Sequence, residues 1–208
     1  MQRSFIIIDD FLKDPDQLRD IALGAEYSDF HPDAMYPGRN SVHPQIINGY
    51  TDAISKIVNE PLVPMEYQGT SNGKFRSTQA GQYGAARVHV DNCHWTAILF
   101  LSKPEHCEGG TNFFRHIPTG TEKAPLTANE LGAYGVQNFN ELWDDLIDAH
   151  TNDASKWEQT FSIPMKYNRL VLLRPWYWHD AGDGFGDCLE NSRLIYMGFF
   201  NNPNGIPT

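Results

Sequence analysis

The segment Tyr83-Gly-Ala-Ala-Arg-Val-His-Val-Asp91 carries the first functional signal in this chain. Side chains two residues apart on a β-strand point to the same face, so a strand over residues 86–91 places Arg87, His89 and Asp91 together. An imidazole and a carboxylate on one face, joined by a distant second histidine, occupy one triangular face of an octahedral metal and leave three positions open. His-x-Asp also occurs by chance, so its context decides the interpretation.

A second histidine follows an apolar segment late in the chain. Residues 169–179 are Arg-Leu-Val-Leu-Leu-Arg-Pro-Trp-Tyr-Trp-His, which predicts a strand leading into His179. Fourteen residues later, Arg193 opens the apolar segment Arg-Leu-Ile-Tyr-Met-Gly-Phe-Phe. An arginine at the start of such a strand is costly to bury unless it meets an anion, and its guanidinium fork fits a carboxylate.

Short apolar segments separated by Gly, Pro, Asn and Asp predict a mainly β fold with flanking helices. The predicted strands cover residues 4–8, 75–78, 86–91, 96–102, 111–117, 161–164, 169–174 and 193–200. Helices are predicted from Asp14 to about Tyr27, where Pro15 and Gln17 complete a capping box, and over about residues 50–59.

Two further capping pairs predict a helical insertion between the strands. These pairs are Thr127 with Glu130 and Asn138 with Glu141. The second predicted helix has an apolar face formed by Leu142, Leu146 and Ile147. Since no repeat or long linker divides the 208 residues, we expect one domain over 1–208, with helical support over about 1–64, a β core over about 65–202 and the insertion over about 127–151.

Composition narrows the class of partner. A net charge of -10 disfavours nucleic acid and anionic membranes. The N-terminal segment lacks the apolar core of a signal peptide, and no segment has the roughly 20 apolar residues that cross a bilayer. Three cysteines, Cys93, Cys107 and Cys188, show no CxxC pairing, which argues against a disulfide framework or a zinc knuckle. We therefore expect a cytoplasmic protein with no membrane association.

Taken together, residues 83–200 resemble the 2-oxoglutarate/Fe(II) dioxygenase superfamily, particularly its prolyl-4-hydroxylase-like branch. The family's His-x-Asp, distal His and downstream basic residue are matched in order and approximate spacing by His89, Asp91, His179 and Arg193. Thr96-Ala-Ile-Leu-Phe-Leu-Ser102 looks like its central strand, and Glu108-Gly-Gly-Thr-Asn-Phe113 resembles its Gly-Gly-x-Thr-x-Phe turn.

The resemblance implies a double-stranded β-helix core of the jelly-roll or cupin-like kind. It also implies that His89, Asp91 and His179 hold a catalytic Fe(II), with 2-oxoglutarate and O2 as cosubstrates. The expected 2-oxoglutarate-binding residues are Arg193, Tyr83 and Thr96. Many relatives have Arg-x-Ser where this chain has Arg193-Leu-Ile195, so a hydroxyl of Tyr83, Thr96 or Ser192 would have to replace the serine contact.

The implied activity is hydroxylation of a C–H bond of a small molecule, amino acid or peptide, with release of succinate and CO2. Retention of Asp91 favours hydroxylation over halogenation. Desaturation or ring closure by the same cosubstrate chemistry stays open. Two other classes of protein also stay open: a cupin-like metal isomerase or dioxygenase that does not use 2-oxoglutarate, and a non-catalytic metal-binding module. His94 is an alternative ligand in a different register.

Aromatic residues cluster in sequence around the predicted ligands. Either they pack in the core or they form a wall that receives the substrate. The candidate substrate residues are Trp95, Trp176, Trp178 and, in an earlier turn, Arg39.

Overall fold

Ten strands form two antiparallel sheets in the part of the chain that the computed structural model describes, residues 4–67 and 69–205 without the side chains of 145–147. The strands are β1 (Phe5–Ile8), β2 (Arg39–Asn40), β3 (Val63–Pro64), β4 (Phe75–Thr78), β5 (Trp95–Phe100), β6 (Gly110–His116), β7 (Trp157–Pro164), β8 (Leu170–Leu173), β9 (His179–Asp180) and β10 (Arg193–Asn201). The larger sheet has the order β1-β8-β5-β10-β4-β2, with β3 paired to β10, and the smaller sheet has the order β7-β6-β9.

Two helices cover the outer face of the larger sheet. Helix α1 (Pro15–Gly24) begins where Asp14 accepts a hydrogen bond from the Gln17 amide, as predicted, and ends three residues before Tyr27. Helix α2 (Tyr50–Val58) ends at Asn59, which adopts a left-handed conformation. Among the described residues, no helix is both long and apolar enough to cross a membrane.

Alternating side chains of β5 separate the two layers of the core. Trp95, Ala97 and Leu99 pack towards α1 and α2, whereas Ile98 and Phe100 pack towards the smaller sheet. Because each large apolar side chain contributes about 1.5–3 kcal/mol when buried, this alternation fixes which face of β5 packs on the helices and which packs on the smaller sheet. The fold is the predicted mainly β architecture with flanking helices, a double-stranded β-helix.

The helical insertion is built from short pieces. A 3-10 helix (Ala128–Tyr134) begins with the predicted Thr127–Glu130 capping box. An α-helical turn (Phe139–Glu141), a π-helix (Leu142–Ile147) and another α-helical turn (Asp148–His150) follow the Asn138 cap. Leu142 is buried in a cluster with Trp157 and Trp178. The predicted contributions of the Leu146 and Ile147 side chains lie outside the described residues. Two further 3-10 turns cover Pro104–His106 and Ala154–Lys156.

The predicted strand over residues 86–91 is wrong as a regular element. The amides of Val88, His89 and Asp91 donate to the carbonyls of three different residues, Thr151, His179 and Pro175. A ladder needs one continuous neighbouring strand in regular register. The Val88 amide meets one segment, the His89 and Asp91 amides meet another at residues four apart, which is out of ladder register, and the Ala86 amide donates to a third at Met35. The segment therefore forms one isolated bridge, between His89 and His179.

Candidate metal centre

Two histidines and an aspartate converge between the sheets. One ligand atom from each of His89, Asp91 and His179 lies within 4.8 Å of the others. Nε2 of His89 is 3.6 Å from Oδ1 of Asp91, and Nε2 of His179 is 3.5 Å from Oδ2. The backbones of His89 and His179 exchange hydrogen bonds of 2.9 and 3.0 Å. These two hydrogen bonds hold together two histidines that are far apart in sequence. The three side chains are thereby close enough to bind one metal ion.

The second ring nitrogen of each histidine faces a carbonyl. Nδ1 of His89 is 2.8 Å from the carbonyl oxygen of Arg87, and Nδ1 of His179 is 2.8 Å from that of Tyr177. A carbonyl only accepts, so Nδ1 carries the hydrogen in both rings and donates it. The Nε2 lone pairs are thereby directed to the centre, which is the orientation that metal-binding histidines need.

The charges of the three groups favour a cation. Burial, aided by the neighbouring His179, lowers the pKa of His89 to about 4. Burial acts to raise the pKa of Asp91, but the hydrogen bond and charge of His179 outweigh it and hold that pKa below its usual range. Burial acts to lower the pKa of His179, but its hydrogen bond to Asp91 raises it overall. A metal ion would take the place of this contact between His179 and Asp91, because a ligating imidazole is neutral and offers its Nε2 lone pair.

A cavity of about 540 Å³ opens from the three ligands. Its floor is the inward face of three adjacent strands, β4, β10 and β5, in the larger sheet. The side chains of this floor that line the cavity are Arg76, Thr78, Thr96, Ile98, Arg193, Ile195, Met197 and Phe199. The volume is in the range of small-molecule sites.

Arg193 is the unusual residue of this floor. Its side chain is buried, and none of its three nitrogens has a hydrogen-bond partner within residues 4–67 and 69–205. Burial, with a smaller effect of the nearby Arg76, lowers the pKa of Arg193 to about 10, so the guanidinium remains charged at neutral pH. A buried cation without a counter-ion is strongly unfavourable. Its position in the cavity therefore fits an anionic ligand, and a carboxylate matches its fork.

The other residues predicted for 2-oxoglutarate lie at different places in the cavity. Tyr83 is at the rim and 70% exposed. Thr96 donates a 2.7 Å hydrogen bond to Asp91, so its hydroxyl contacts a predicted metal ligand. Ser192 is bonded to Ser77 and is not among the described residues that line the cavity.

The three predicted substrate tryptophans and Arg39 are not among the described residues that line the cavity. Trp95 packs under the helices and donates to Glu60. Trp178 packs against Trp157, and Trp176 lies beside His94. Apolar contact with the core accounts for the burial of these rings, and the guanidinium of Arg39 lies over a tyrosine instead.

His94, the alternative ligand, belongs to a separate buried network. Its Nε2 is 2.6 Å from Oε2 of Glu60 and equally close to Arg174. Glu60 also accepts from Arg174 in an ion pair. The chain thus uses His94 to tie the end of α2 to the larger sheet.

Sequence reasoning missed four residues of the cavity. The Tyr36 ring lies 4.6 Å from the His89 ring, and Thr78 is the cross-strand partner of Arg193. Arg76 lines the floor, and Asp180 pairs with Arg87 at 3.1 Å. The position of Asp180 directly after His179 was an available signal. Arg76 and Thr78 carried none, because only the pairing of β4 with β10 brings them here. Tyr36 carried none either, since it lies in an irregular segment before β2.

Solved structures with the same fold were found at low sequence identity. HygX from Streptomyces hygroscopicus with nickel, 2-oxoglutarate and hygromycin B bound is 12% identical with a TM-score of 0.54; the match covers 97% of this chain and 84% of HygX. The non-heme alpha-ketoglutarate-dependent carbocyclase SnoK from nogalamycin biosynthesis is 11% identical with a TM-score of 0.56; the match covers 97% and 80% of the two chains. At these identities the likeness establishes the fold.

Sequence comparisons give a family rather than an activity. No curated protein sequence matches this chain. One family model, described as a family of unknown function (DUF6445), matches residues 1–182, a range that includes all three candidate ligands. Because the match spans most of the chain, the protein belongs to the DUF6445 family.

Proposed function

We propose that this protein is an Fe(II)- and 2-oxoglutarate-dependent oxygenase that hydroxylates a C–H bond of a small molecule, amino acid or peptide. The observation that carries the proposal is the presence of two features in one cavity: the ligand set of His89, Asp91 and His179, and the buried, unpaired Arg193. The fold shared with HygX and SnoK supports it, since those structures are of a 2-oxoglutarate complex and an alpha-ketoglutarate-dependent enzyme.

The donor set fits ferrous iron. Two imidazoles and one carboxylate are the facial ligands of non-heme Fe(II) oxygenases, and they leave positions for a cosubstrate and O2. When bound, the iron and 2-oxoglutarate supply oxidative decarboxylation to succinate and CO2 and the transfer of one oxygen atom to the substrate.

The chain's own residues orient and shield the reactants. The carbonyls of Arg87 and Tyr177 fix the two imidazoles, and Thr96 fixes the carboxylate of Asp91. Arg193 would bind the distal carboxylate of 2-oxoglutarate. The Thr78 hydroxyl on the neighbouring strand would be a second donor in place of its long, 3.5 Å hydrogen bond to the Pro37 carbonyl. Ile98, Ile195 and Met197 form the apolar part of the floor and restrict water there.

Arg193 also separates this proposal from its main rival. A cupin-like enzyme that uses no 2-oxo acid has no need of a buried cation in the cavity, whereas a dicarboxylic cosubstrate does. Removal of Arg193 should therefore raise the concentration of 2-oxoglutarate that the proposed enzyme needs for half-maximal activity.

The direct test is anaerobic loading with Fe(II) and 2-oxoglutarate, followed by exposure to O2 and measurement of succinate. We expect succinate from the wild type and none from His179→Ala, while His43→Ala, which removes an exposed histidine, retains turnover. Full turnover in His179→Ala would overturn the ligand assignment. Absence of succinate from iron-loaded wild type, across a screen of amino acids, peptides and small metabolites, would overturn the function.

A further inference from the structure

A second arginine reaches the cavity from the strand next to Arg193. Arg76 on β4 pairs with Ile195, two residues along β10 from Arg193. Residues two apart on one strand are about 7 Å apart and share a face, as do directly paired residues on neighbouring strands. Ile195 therefore faces the same side as both Arg193 and Arg76, and the two guanidinium groups belong to one wall. Both line the cavity.

The Arg76 side chain is held in place by neutral groups. Its Nε donates a 2.7 Å hydrogen bond to Oδ1 of Asn40, and the Asn40 amide donates 2.9 Å to the hydroxyl of Ser71. Its Cζ lies 5.6 Å from the centre of the Tyr36 ring, which itself lies against His89. The guanidinium is therefore positioned beside the metal centre.

The outer edge of this guanidinium is unused. Nη1 and Nη2 of Arg76 make no hydrogen bond, and no carboxylate lies within 4.0 Å, within the described ranges 4–67 and 69–205. Unlike the nitrogens of Arg193, they are not among the fully buried side-chain atoms without a partner, so both keep some exposure in a half-buried residue that lines the cavity. The two parallel N–H groups are in the arrangement that binds a carboxylate through both oxygens.

Among the described residues, Arg76 is the cavity cation that the proposed complex leaves without a carboxylate beside it. Arg87 pairs with Asp180 at 3.1 Å and Asp183 at 3.5 Å. In the proposed complex, a ferrous dication, the 2-oxoglutarate dianion, Asp91 and Arg193 cancel one another. The charges of the described lining residues then sum to zero, because Asp180 and Asp183 together carry one negative charge more than Arg87. Both of these carboxylates lie at Arg87, however, and none of the described carboxylates lies within 4.0 Å of Arg76.

We infer that Arg76 binds a carboxylate of the prime substrate, and that the substrate is a small carboxylic acid. This inference rests on the proposed function, because it assigns the other carboxylates of the cavity to 2-oxoglutarate and Asp91. The volume of about 540 Å³ has room for a small acid beside the cosubstrate. Arg76 would direct the far end of that acid towards the metal centre.

The test is a binding experiment with matched pairs. Protein loaded with Ni(II) and 2-oxoglutarate, which does not turn over, is incubated with pooled carboxylic acids and their primary amides, drawn from amino acids, N-acyl amino acids and hydroxy acids. Retained compounds are measured by ultrafiltration and mass spectrometry. We expect acids to be retained over their amides by roughly tenfold or more, the effect of one charged hydrogen-bonded pair.

Variants of Arg76 test whether this residue causes the preference for acids over amides. Arg76→Gln should remove the preference for acids and leave 2-oxoglutarate affinity unchanged, and Arg76→Lys should keep part of the preference. The matched control is Arg115→Gln, a partly exposed arginine on β6 that pairs with Glu122 and Glu158.

Three outcomes would overturn the inference: equal retention of acids and amides, retention of no acid, or weakened 2-oxoglutarate binding in Arg76→Gln. The first two are read on the wild type and do not depend on how well the variants fold. Failure of the proposed function is distinguishable, because the metal-loaded wild type would then not bind 2-oxoglutarate before any acid is added.

Discussion

The hydroxyl of Thr96 donates a 2.7 Å hydrogen bond to Oδ2 of Asp91. Asp91 lies in an irregular segment, whereas Thr96 lies on β5, which is paired on both sides by β8 and β10. The backbone of Asp91 is not part of a strand ladder. Its carboxylate is instead restrained by this hydrogen bond to a strand in the middle of the larger sheet. It also leaves Oδ1 free of this hydroxyl and directed at His89.

Replacement of this hydroxyl should weaken metal binding. In Thr96→Val the shape is kept but the donor is lost, so Asp91 can rotate. Loss of such a supporting bond typically lowers metal affinity about 10–100-fold. An anaerobic Fe(II) titration measures the change. Thr96→Ser, which keeps the hydroxyl, should bind like the wild type, and equal affinity in the valine variant would show that the bond does not orient the ligand.

Removal of the Arg193 charge should separate stability from cosubstrate binding. In Arg193→Met a buried cation without a partner is replaced by an apolar chain, so the protein without 2-oxoglutarate should be as stable as the wild type or more stable. Addition of 2-oxoglutarate at a hundred times its dissociation constant should stabilise the wild type by about 2.7 kcal/mol. The variant should gain almost nothing.

Thermal unfolding with and without 2-oxoglutarate, in the presence of Ni(II), measures both effects. Arg115→Met is the control for loss of a more exposed arginine. An unchanged response to 2-oxoglutarate in Arg193→Met would remove Arg193 from the cosubstrate site.

His116 should make the protein sensitive to acid. It is buried, and its Nε2 is 2.8 Å from Nδ1 of His150. Burial, with the charges of His150 and Lys156, lowers its pKa to about 4, from about 6.5 in an unfolded chain. As the pH falls, the unfolded chain takes up the proton first. The contribution of the neutral, buried His116 to the free energy of unfolding is therefore complete above about pH 6.5 and is lost as the pH falls towards 4.

Denaturant unfolding between pH 7 and 4 should show this loss, on the order of 3 kcal/mol, in the wild type. In His116→Gln the dependence should be shallower, since glutamine does not titrate. Identical pH profiles for the two proteins would assign the acid sensitivity to other groups.

The Glu60 network should contribute to stability without contributing to activity. Glu60 accepts hydrogen bonds from His94 and Trp95 and pairs with the buried Arg174. Glu60→Gln removes the charge opposite a buried guanidinium, which we expect to destabilise the protein by about 1–3 kcal/mol. Glu158→Gln, on an exposed pair, should change stability by less than about 0.5 kcal/mol. Equal effects in the two variants, measured by urea unfolding, would contradict the role of the network.

Local sequence determined much of the secondary structure. The Asp14, Thr127 and Asn138 caps are where the side-chain pattern predicted them, because a cap involves groups only a few residues apart. The strands β4, β5 and β10 follow from short segments between turn residues, which predicted a mainly β fold. The family resemblance then put His89, Asp91, His179 and Arg193 in one expected site.

Only the tertiary structure decided which side chains share the cavity. Sequence could not place Trp95 under the helices or Arg76 beside Arg193, because the register between β4 and β10 joins residues more than a hundred positions apart. It also could not show that residues 86–91 hydrogen-bond to three separate segments. Periodicity reports the face on which a side chain lies. What lies opposite that face is fixed by pairing between distant strands, which no local pattern contains.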